Sequence, residues 1–340
     1  MLINNNEYLS VVSDIKSRIR KAQHRAALAA NKELIELYWN IGKIINANTA
    51  WGNRFVENLS RDIKLDFPNV TGYSVRNLKY MAQFAKIFPD FEIVQLIVAR
   101  IPWRHNMSLM DKVKDANMFL WYAEQTIENG WKRDLLVEQI EDNLYERQAL
   151  TDKVSNFDVR LDSPQSELAE QTMKDPYVFN FVPYRKGMAE REIEDELVKN
   201  VTKLLLELGT GFAFMGNQYR IEVENEDFYM DMLFYNAKLH CYVVIELKKG
   251  NFKPEYAGKL NFYISAVDDL MRTEQDNPTI GLLLCANKRG AIAEYALKDI
   301  EKPIGVSEYK LHKNLPKEYE NILPSAEDIE KRIGLIDDED

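Results

Sequence analysis

The sequence predicts an all-α N-terminal half followed by an α/β domain with a mixed sheet. Apolar residues recur at helical spacing from about residue 8 to residue 148. After residue 211 the pattern changes to short runs rich in Val, Ile, Tyr and Phe, which are typical of strands. The length of 340 residues suits about two domains, although length alone also allows one large domain.

The composition is that of an ordinary globular protein. Hydrophobic residues make up 46% and charged residues 29%, which excludes a disordered chain and a fibrous repeat. Cys241 and Cys285 lie in apolar runs and are too few for a disulfide framework, so we expect a reducing compartment. The chain has no apolar run of 18 residues and no signal-peptide pattern at its start. These features predict a cytoplasmic protein with no membrane partner.

The net charge of −10 conceals an asymmetry between the two halves. Residues 1–105 carry 15 Lys and Arg against 9 Asp and Glu, whereas the remaining 235 residues carry 29 against 45. Clustered basic side chains are what phosphate binding uses. The N-terminal half is therefore the expected source of affinity for a nucleic acid.

A helix, a turn and a second helix can be read in the N-terminal half. Residues 54–66 are helical in pattern, a turn rich in Pro, Asn and Gly follows, and Ser74 is placed to cap the next helix. Arg76, Lys79 and Lys86 line one face of that helix, separate from its apolar stripe. A basic face of this kind suits a phosphate backbone, as in helix-turn-helix proteins. The alternative is a solvated surface helix in a bundle.

Further helical stretches complete this half. Ile15, Ile19 and Ala22 form an apolar stripe near the N-terminus, and residues 107–148 form a later helical region whose aromatic residues are expected in the core. We therefore predict a helical nucleic-acid-binding domain over residues 1–150.

The periodicity weakens between residues 151 and 184, where Pro164 and Pro176 act as breakers, and we predict a linker there. Residues 185–335 are predicted to form one α/β domain. Its expected elements are a helix at 190–208, strands at 212–222, 228–235 and 240–247, a helix at 255–270, a strand at 279–285, a helix at 291–297 and a strand at 305–309. The order αβββαβαβ indicates a mixed sheet with helices.

The third of these strands carries charged residues within an apolar run. Side chains alternate faces along a strand, so Val244, Glu246 and Lys248 share one face. Burying a carboxylate and an ammonium is costly unless they are paired or bound, which favours a metal ion or phosphate partner. The alternative is that the strand runs out into solvent at this point.

Asp231, on the preceding strand, adds a second carboxylate. If the hairpin turn is centred between residues 237 and 238, Asp231 stands opposite Val244 and is a diagonal neighbour of Glu246, about 7 Å away. Two converging carboxylates suit Mg²⁺, which prefers hard oxygen ligands. Such a site supports phosphodiester hydrolysis. Lys248 would orient or deprotonate the water, or neutralise charge in the transition state.

Several segments in a fixed order resemble the YhcG-like nucleases of the PD-(D/E)XK superfamily. The resemblance covers nearly the whole chain. Its C-terminal segments are residues 204–214, 228–235, 243–248, 252–263 and 281–285. Its N-terminal segments are residues 38–42, Trp51-Gly52, residues 72–78 and Pro102-Trp103, which resemble that family's helical, winged-helix-like domain.

The resemblance implies a restriction-endonuclease-like core. In it, Asp231 and Glu246 match the metal-binding acids and Lys248 matches the catalytic lysine. Glu194 resembles the acid that the first helix of the superfamily often contributes, and Glu196 is close enough to leave that choice open. Met230 stands where the motif has proline, so the literal PD element is absent. This departure weakens the match more than the mechanism, because the carboxylate binds the metal.

Beyond the acids, Lys253, Tyr256 and Lys259 lie at or near the start of the next helix and would contact the DNA backbone or support the site. The expected function is Mg²⁺- or Mn²⁺-dependent DNA hydrolysis, in repair, recombination or defence. A homodimer is compatible with duplex cutting. The rivals are a non-catalytic DNA-binding or protein-interaction module on the same scaffold, and an RNase with the same catalytic residues.

Overall fold

The computed structural model describes residues 5–48, 54–183, 185 and 187–312. The Trp51-Gly52 motif and the acidic C-terminal residues lie outside the described part. The chain divides into two compact units, Met1–Tyr145 and Glu146–Asp340.

The N-terminal unit is built from helices. They are α1 (Asn5–Ala47), α2 (Arg54–Asp66), α3 (Val75–Ile87), α4 (Phe91–Leu96), α5 (Trp103–Lys112), α6 (Ala116–Asn129) and α7 (Arg133–Glu141), with a 3₁₀ turn at Val98–Arg100. No strand occurs among the described residues of this unit, so the strands of a wing are not seen there. The prediction of an all-α N-terminal half is confirmed.

Helix α3 begins where the sequence predicted. The Ser74 side chain accepts a hydrogen bond from the Asn77 backbone N–H at 3.3 Å, which satisfies a donor in the first turn. The apolar stripe of α3 packs on α1, where a Cβ atom at Gly42 would overlap the backbone of Met81. The two helices therefore approach each other closely only because position 42 is glycine.

The first half of α1 is helical but not buried. Ile15 and Ile19 of the predicted apolar stripe are 50% and 51% exposed. Burial begins near Ile35, which is fully enclosed in the core of this unit. Periodicity predicted the helix correctly because it reports which residues share a face, not whether another element covers that face.

The C-terminal unit is a seven-stranded mixed sheet with helices on both faces. Its elements are a π-helical turn (Glu146–Leu150), β1 (Val154–Ser155), α8 (Phe157–Arg160), α9 (Gln165–Thr172), β2 (Tyr177–Pro183), α10 (Glu190–Lys199), α11 (Val201–Leu208), β3 (Phe212–Val223), β4 (Glu226–Asn236), β5 (Cys241–Asn251), α12 (Pro254–Leu270), β6 (Ile280–Asn287), α13 (Gly290–Leu297) and β7 (Ile304–His312). The predicted order from residue 190 onward is observed, with the first helix divided at Asn200.

Strand order in the sheet is β1-β7-β6-β5-β4-β3, and β2 pairs with β7 outside this path. Strands β3, β4 and β5 are antiparallel, whereas β5, β6 and β7 are parallel and connected through α12 and α13. Residues of α10 and α11 pack on one face, and residues of α12 and α13 pack on the other. The middle of β5 is consequently enclosed by both layers.

The predicted linker over residues 151–184 differs from the structure. Val154 of β1 pairs antiparallel with Val306, and Tyr177 of β2 pairs parallel with Tyr309, so both strands belong to the sheet of the C-terminal unit. Pro164 precedes α9, and Pro176 precedes β2. These prolines mark boundaries between short packed elements. Residues that end helices and strands occur both at such boundaries and in linkers, so their presence alone cannot distinguish the two.

Within the described ranges, no helix is both long enough and apolar enough to cross a membrane.

Candidate active site

The β4–β5 hairpin brings the two strand carboxylates directly opposite each other. Met232 pairs with Ile245 at the end of the ladder, and the same register extended by one residue places Asp231 opposite Glu246. The predicted register, with Asp231 opposite Val244, is wrong by two residues because the turn spans residues 237–240. Asn236 stabilises that longer turn, since its Oδ1 accepts hydrogen bonds from the backbone N–H groups of Lys238 and Leu239 at 2.9 and 3.1 Å.

Each carboxylate is held by the backbone of the neighbouring strand. The Leu247 N–H donates to Asp231 Oδ2 at 2.9 Å, and the Asp231 N–H donates to Glu246 Oε1 at 3.3 Å. Directly opposed residues on antiparallel strands have Cβ atoms about 4.5–5.5 Å apart, which is closer than the diagonal arrangement that the sequence predicted. The two acids therefore converge at fixed positions.

The Lys248 ammonium lies among four oxygen atoms. Its Nζ atom is 2.7 Å from the Leu247 carbonyl oxygen, 2.9 Å from Glu190 Oε1, 3.2 Å from Glu246 Oε2 and 3.6 Å from Asp231 Oδ2. Burial alone would lower the pKa of Lys248, but the carboxylates of Glu246, Asp231 and Glu190 outweigh it and raise that pKa. The raised pKa favours the protonated form of Lys248, and a protonated lysine cannot act as a base.

Glu246 is the most deeply buried member of the site, with 1% of its side chain exposed. Burial and the neighbouring Asp231 raise the pKa of Glu246, while Lys248 and Lys259 oppose that shift. Lys259 of α12 donates to Glu246 Oε2 at 3.1 Å and is about half exposed. Two ammonium groups therefore share one carboxylate oxygen, and one of them reaches solvent.

Helix α10 supplies two acids to the site. Glu190, in its first turn, contacts Lys248 and also accepts from the Lys249 backbone N–H at 3.0 Å. Glu194 is buried beside Asp231, and its Oε1 atom has no hydrogen-bond partner in the described part of the chain. Glu196 instead pairs with Lys199 on its own helix at 2.7 Å. The geometry favours Glu194 in the choice that the sequence left open.

Two residues of the site were missed by the sequence analysis. Glu190 gave no distinctive signal, because acidic residues are common in the first turn of any helix. Gln218 of β3 donates from Nε2 to Glu194 Oε2 at 2.8 Å and to Asp231 Oδ1 at 3.4 Å. A single glutamine on a half-exposed strand carries no signal in the sequence either, since its importance depends on strand register.

The three basic or aromatic residues predicted on α12 and its N-terminal end separate into different environments. The ammonium groups of Lys248 and Lys253 lie 5.7 and 5.8 Å from the centre of the Tyr256 ring. Lys253 is exposed and pairs with Glu255 at 3.7 Å, whereas Lys259 contacts Glu246 directly. Lys259 is thus part of the site, and Lys253 and Tyr256 lie beside it.

The basic residues predicted on α3 lie in the N-terminal unit, which is described here by itself. Arg76, Lys79 and Lys86 are exposed. The Arg76 guanidinium lies 5.6 Å from the centre of the Tyr80 ring, and the Tyr80 hydroxyl donates to Asp111 at 2.7 Å. The exposed Arg76 side chain thus contacts the next turn of its own helix, where it donates to the Tyr80 hydroxyl at 3.4 Å.

Two family models match the chain over most of its length. Residues 14–147 match the DUF1016 N-terminal domain, and residues 170–324 match the YhcG PDDEXK nuclease domain. The chain therefore combines a DUF1016 N-terminal domain with a YhcG PDDEXK nuclease domain. The assignment confirms the predicted fold class, a restriction-endonuclease-like α/β domain preceded by an all-α part.

The chain is also similar to individual known proteins. The chain is 28% identical over 347 aligned residues to "Putative nuclease YhcG" of Escherichia coli (strain K12), a match that covers 92% of both chains. Two solved structures also match, a repair endonuclease from Pyrococcus abyssi and an EndoMS–dsDNA complex, at 16% and 15% identity. They cover 38% and 36% of this chain and 48% and 44% of theirs, and the TM-score of 0.25 in both cases supports no inference about this chain.

We expect Glu194→Gln to stabilise the metal-free protein. Burial and the nearby Asp231 charge raise the pKa of Glu194, so the folded state binds its proton more readily than the unfolded chain. The stability that this group contributes is therefore lost as pH rises from the ordinary carboxyl pKa through the raised one. Glutamine avoids that loss, and the gain should be roughly 0.5–2 kcal/mol at pH 7.5, shrinking as the pH falls toward 4.

Urea denaturation in EDTA between pH 4 and pH 8 measures this effect. Glu196→Gln is the matched control, because it lies on the same helix and pairs with Lys199 at the surface. It should show no such pH-dependent gain. Equal pH dependence of wild type and Glu194→Gln would show that Glu194 ionises in the folded state as freely as in the unfolded chain.

Proposed function

We propose that this protein is a divalent-metal-dependent nuclease that hydrolyses phosphodiester bonds in DNA. The observation that supports this most strongly is the group of oxygen atoms around the Lys248 ammonium, drawn from Asp231, Glu246, Glu190 and the Leu247 carbonyl. A buried group of oxygen atoms around a positive charge is a place where a cation is favoured. The match to a nuclease domain indicates the reaction that a cation bound here would promote, which is the hydrolysis of a phosphodiester bond.

The donor set fits Mg²⁺ or Mn²⁺. No group of three His, Cys, Asp or Glu side chains placed to hold a metal ion is found in the described residues. Mg²⁺ does not require such a group, because it is usually held by one or two carboxylates together with water and substrate oxygens. Asp231 and Glu246 would hold the ion, which when bound polarises a phosphoryl oxygen and lowers the pKa of a water molecule.

The side chains around these acids have separate roles in the proposal. Lys248, held protonated, neutralises negative charge that develops on the phosphate in the transition state. Lys259 is half exposed while it touches Glu246, so it is placed to attract a phosphate into the site. Glu194 places a further carboxyl group beside Asp231, and Gln218 donates to both.

The basic face of α3 supplies DNA affinity in this proposal. We expect the combined variant Arg76→Gln, Lys79→Gln and Lys86→Gln to weaken DNA binding for all sequences alike, because phosphate contacts carry no sequence information. If each side chain neutralises one phosphate, the slope of log affinity against log salt concentration should fall by roughly 2–3. Fluorescence anisotropy with a labelled duplex at several salt concentrations measures both quantities.

Lys132→Gln, an exposed lysine elsewhere in the same unit, is the control for that experiment. It should leave the affinity and the slope close to those of wild type. An unchanged slope in the triple variant would support the alternative view of α3 as a solvated surface helix.

A cleavage panel tests the proposed activity directly. Duplex, branched and single-stranded DNA, with single-stranded RNA in parallel, are incubated with the full chain and Mg²⁺, Mn²⁺ or EDTA. Cleavage of DNA only with a divalent ion supports the proposal, and cleavage of RNA alone would replace it with a ribonuclease. Binding without cleavage on every substrate would favour the non-catalytic scaffold. Cuts at matching positions on both strands of a duplex would add support for a homodimer.

A further inference from the structure

Gln218 occupies the position on β3 that faces the acids of the site. Asn217 pairs with Met232 and Tyr219 pairs with Met230, so Gln218 stands opposite Asp231 in the β3–β4 register. Because Asp231 in turn stands opposite Glu246, the three residues form a row across three adjacent strands. Gln218 is thus the polar residue that continues the row of acids toward α10.

The amide of Gln218 joins two carboxylates that come from different elements. Its Nε2 atom donates to Glu194 of α10 at 2.8 Å and to Asp231 of β4 at 3.4 Å. Two buried carboxylates side by side repel each other unless a donor lies between them. An amide supplies two N–H donors and no net charge, whereas a lysine or arginine would neutralise the acids. Gln218 therefore bridges the pair without adding a charge, while Arg191 and Lys248 lie 3.6 Å from Glu194 Oε2 and Asp231 Oδ2 respectively.

The backbone of Gln218 has an unfavourable conformation, which indicates that the placement of its side chain is maintained at a cost in conformational energy. Gln218 has φ of 43°, in the left-handed region that glycine and asparagine adopt more readily than glutamine. A strained backbone that carries a side chain into a cluster of acids is typical of functional sites. Neither strand pairing nor turn formation at this point requires glutamine.

We infer that Gln218 is a positioning residue that couples Glu194 to Asp231 and so completes the site for a divalent cation. The inference rests on the proposed metal-dependent function. It assigns Gln218 no contact with the reacting phosphate. Its effect is expected through the two carboxylates, in how tightly a metal ion is bound.

The test is Mn²⁺ binding by the full chain, measured by isothermal titration calorimetry, for wild type, Gln218→Asn and Gln218→Gly. Both replacements suit a positive φ, but asparagine is too short to reach both acids and glycine has no amide. We expect each to weaken Mn²⁺ binding roughly 10–100-fold, the range found when groups that orient metal ligands are removed. The Mn²⁺ concentration that gives half-maximal cleavage should rise by the same factor, with little change in KM for DNA.

Glu224→Asn is the matched control. Glu224 has φ of 52° in the exposed β3–β4 turn, so it tests the backbone substitution without touching the acids. It should bind Mn²⁺ as wild type does. Because Gln218 acts through Glu194, adding Gln218→Asn to Glu194→Gln should cause a smaller loss than the product of the two single losses.

The outcomes separate this inference from the proposed function. Wild type that neither binds Mn²⁺ nor cleaves DNA would overturn both. Wild type that binds and cleaves, with Gln218→Asn and Gln218→Gly unchanged in Mn²⁺ affinity, would overturn the role of Gln218 alone. Lower stability toward urea with unchanged Mn²⁺ affinity would assign Gln218 a structural role and overturn the inference as well.

Discussion

Replacing Glu246 by Gln should reduce metal-dependent DNA cleavage by roughly 10³-fold, because a bound metal ion stabilises the transition state by several kcal/mol and each 1.36 kcal/mol is a factor of ten. The fold should survive. A glutamine amide has nearly the shape of the carboxylate but only one acceptor oxygen, so it can accept either from the Asp231 N–H, which bonds Oε1, or from Lys248 and Lys259, which contact Oε2. The free energy of unfolding should therefore fall by roughly 1–3 kcal/mol, the cost of leaving a buried donor without an acceptor.

The measurement compares single-turnover cleavage rates at saturating Mg²⁺ with urea denaturation in EDTA. Glu222→Gln is the control, because it removes a carboxylate from a surface ion pair with Arg220 on the same sheet and should change neither quantity appreciably. Cleavage by Glu246→Gln at the wild-type rate would exclude this carboxylate from the chemistry. Loss of cleavage together with loss of the folded state would mean that Glu246 is needed for the fold itself.

Much of the fold could be predicted from the sequence because it depends on local patterns. Apolar periodicity of 3.6 and of 2 residues distinguishes helices from strands, and the predicted strand at 228–235 lies within the observed β4. The candidate acids were also readable, because carboxylates within apolar strands are rare and costly. Asp231 and Glu246 were identified on that basis before their partners were known.

The errors arose where distant parts of the chain determine the outcome. The β4–β5 register depends on turn length, and the side-chain hydrogen bonds of Asn236 set a turn two residues longer than expected. Residues 151–184 are predicted as a linker because β1 and β2 are short and pair with β7, which follows more than a hundred residues later. Short strands whose partners are remote have too few residues to show a period.

The same dependence on distant parts of the chain explains why two residues of the site could not be predicted from the sequence. Glu190 and Gln218 are ordinary surface-type residues in sequence and acquire a role only when α10 and β3 are placed beside β4 and β5. With Glu190 included, the site has four carboxylates, and its cationic groups are Lys248, Lys259 and Arg191, which pairs with Glu194 at 3.6 Å. The carboxylates formally outnumber these cations by one. The residual negative charge is what a divalent cation would meet.

The ammonium of Lys248 and a divalent cation should compete for the same oxygen atoms. Removing the lysine should therefore lower the stability of the metal-free protein and increase the stabilisation that a divalent cation provides. Lys248→Met removes the cation that the buried Glu246 and Asp231 share with the partly exposed Glu190, and Lys259 remains in contact with Glu246. Removing one partner of a buried ion pair typically costs 3–5 kcal/mol, so we expect a loss of roughly that size in EDTA. Mn²⁺ should restore much of it, because the ion supplies the missing positive charge.

Thermal denaturation with increasing Mn²⁺ measures this compensation. The rise in Tm from EDTA to saturating Mn²⁺ should be larger for Lys248→Met than for wild type, while single-turnover cleavage falls by roughly 10²–10³-fold, since the transition-state charge is no longer neutralised. Lys238→Met, which replaces an exposed lysine in the β4–β5 turn away from the acids, should leave both quantities near those of wild type. A smaller Mn²⁺ response in Lys248→Met would mean that the ammonium helps to bind the ion and does not compete with it.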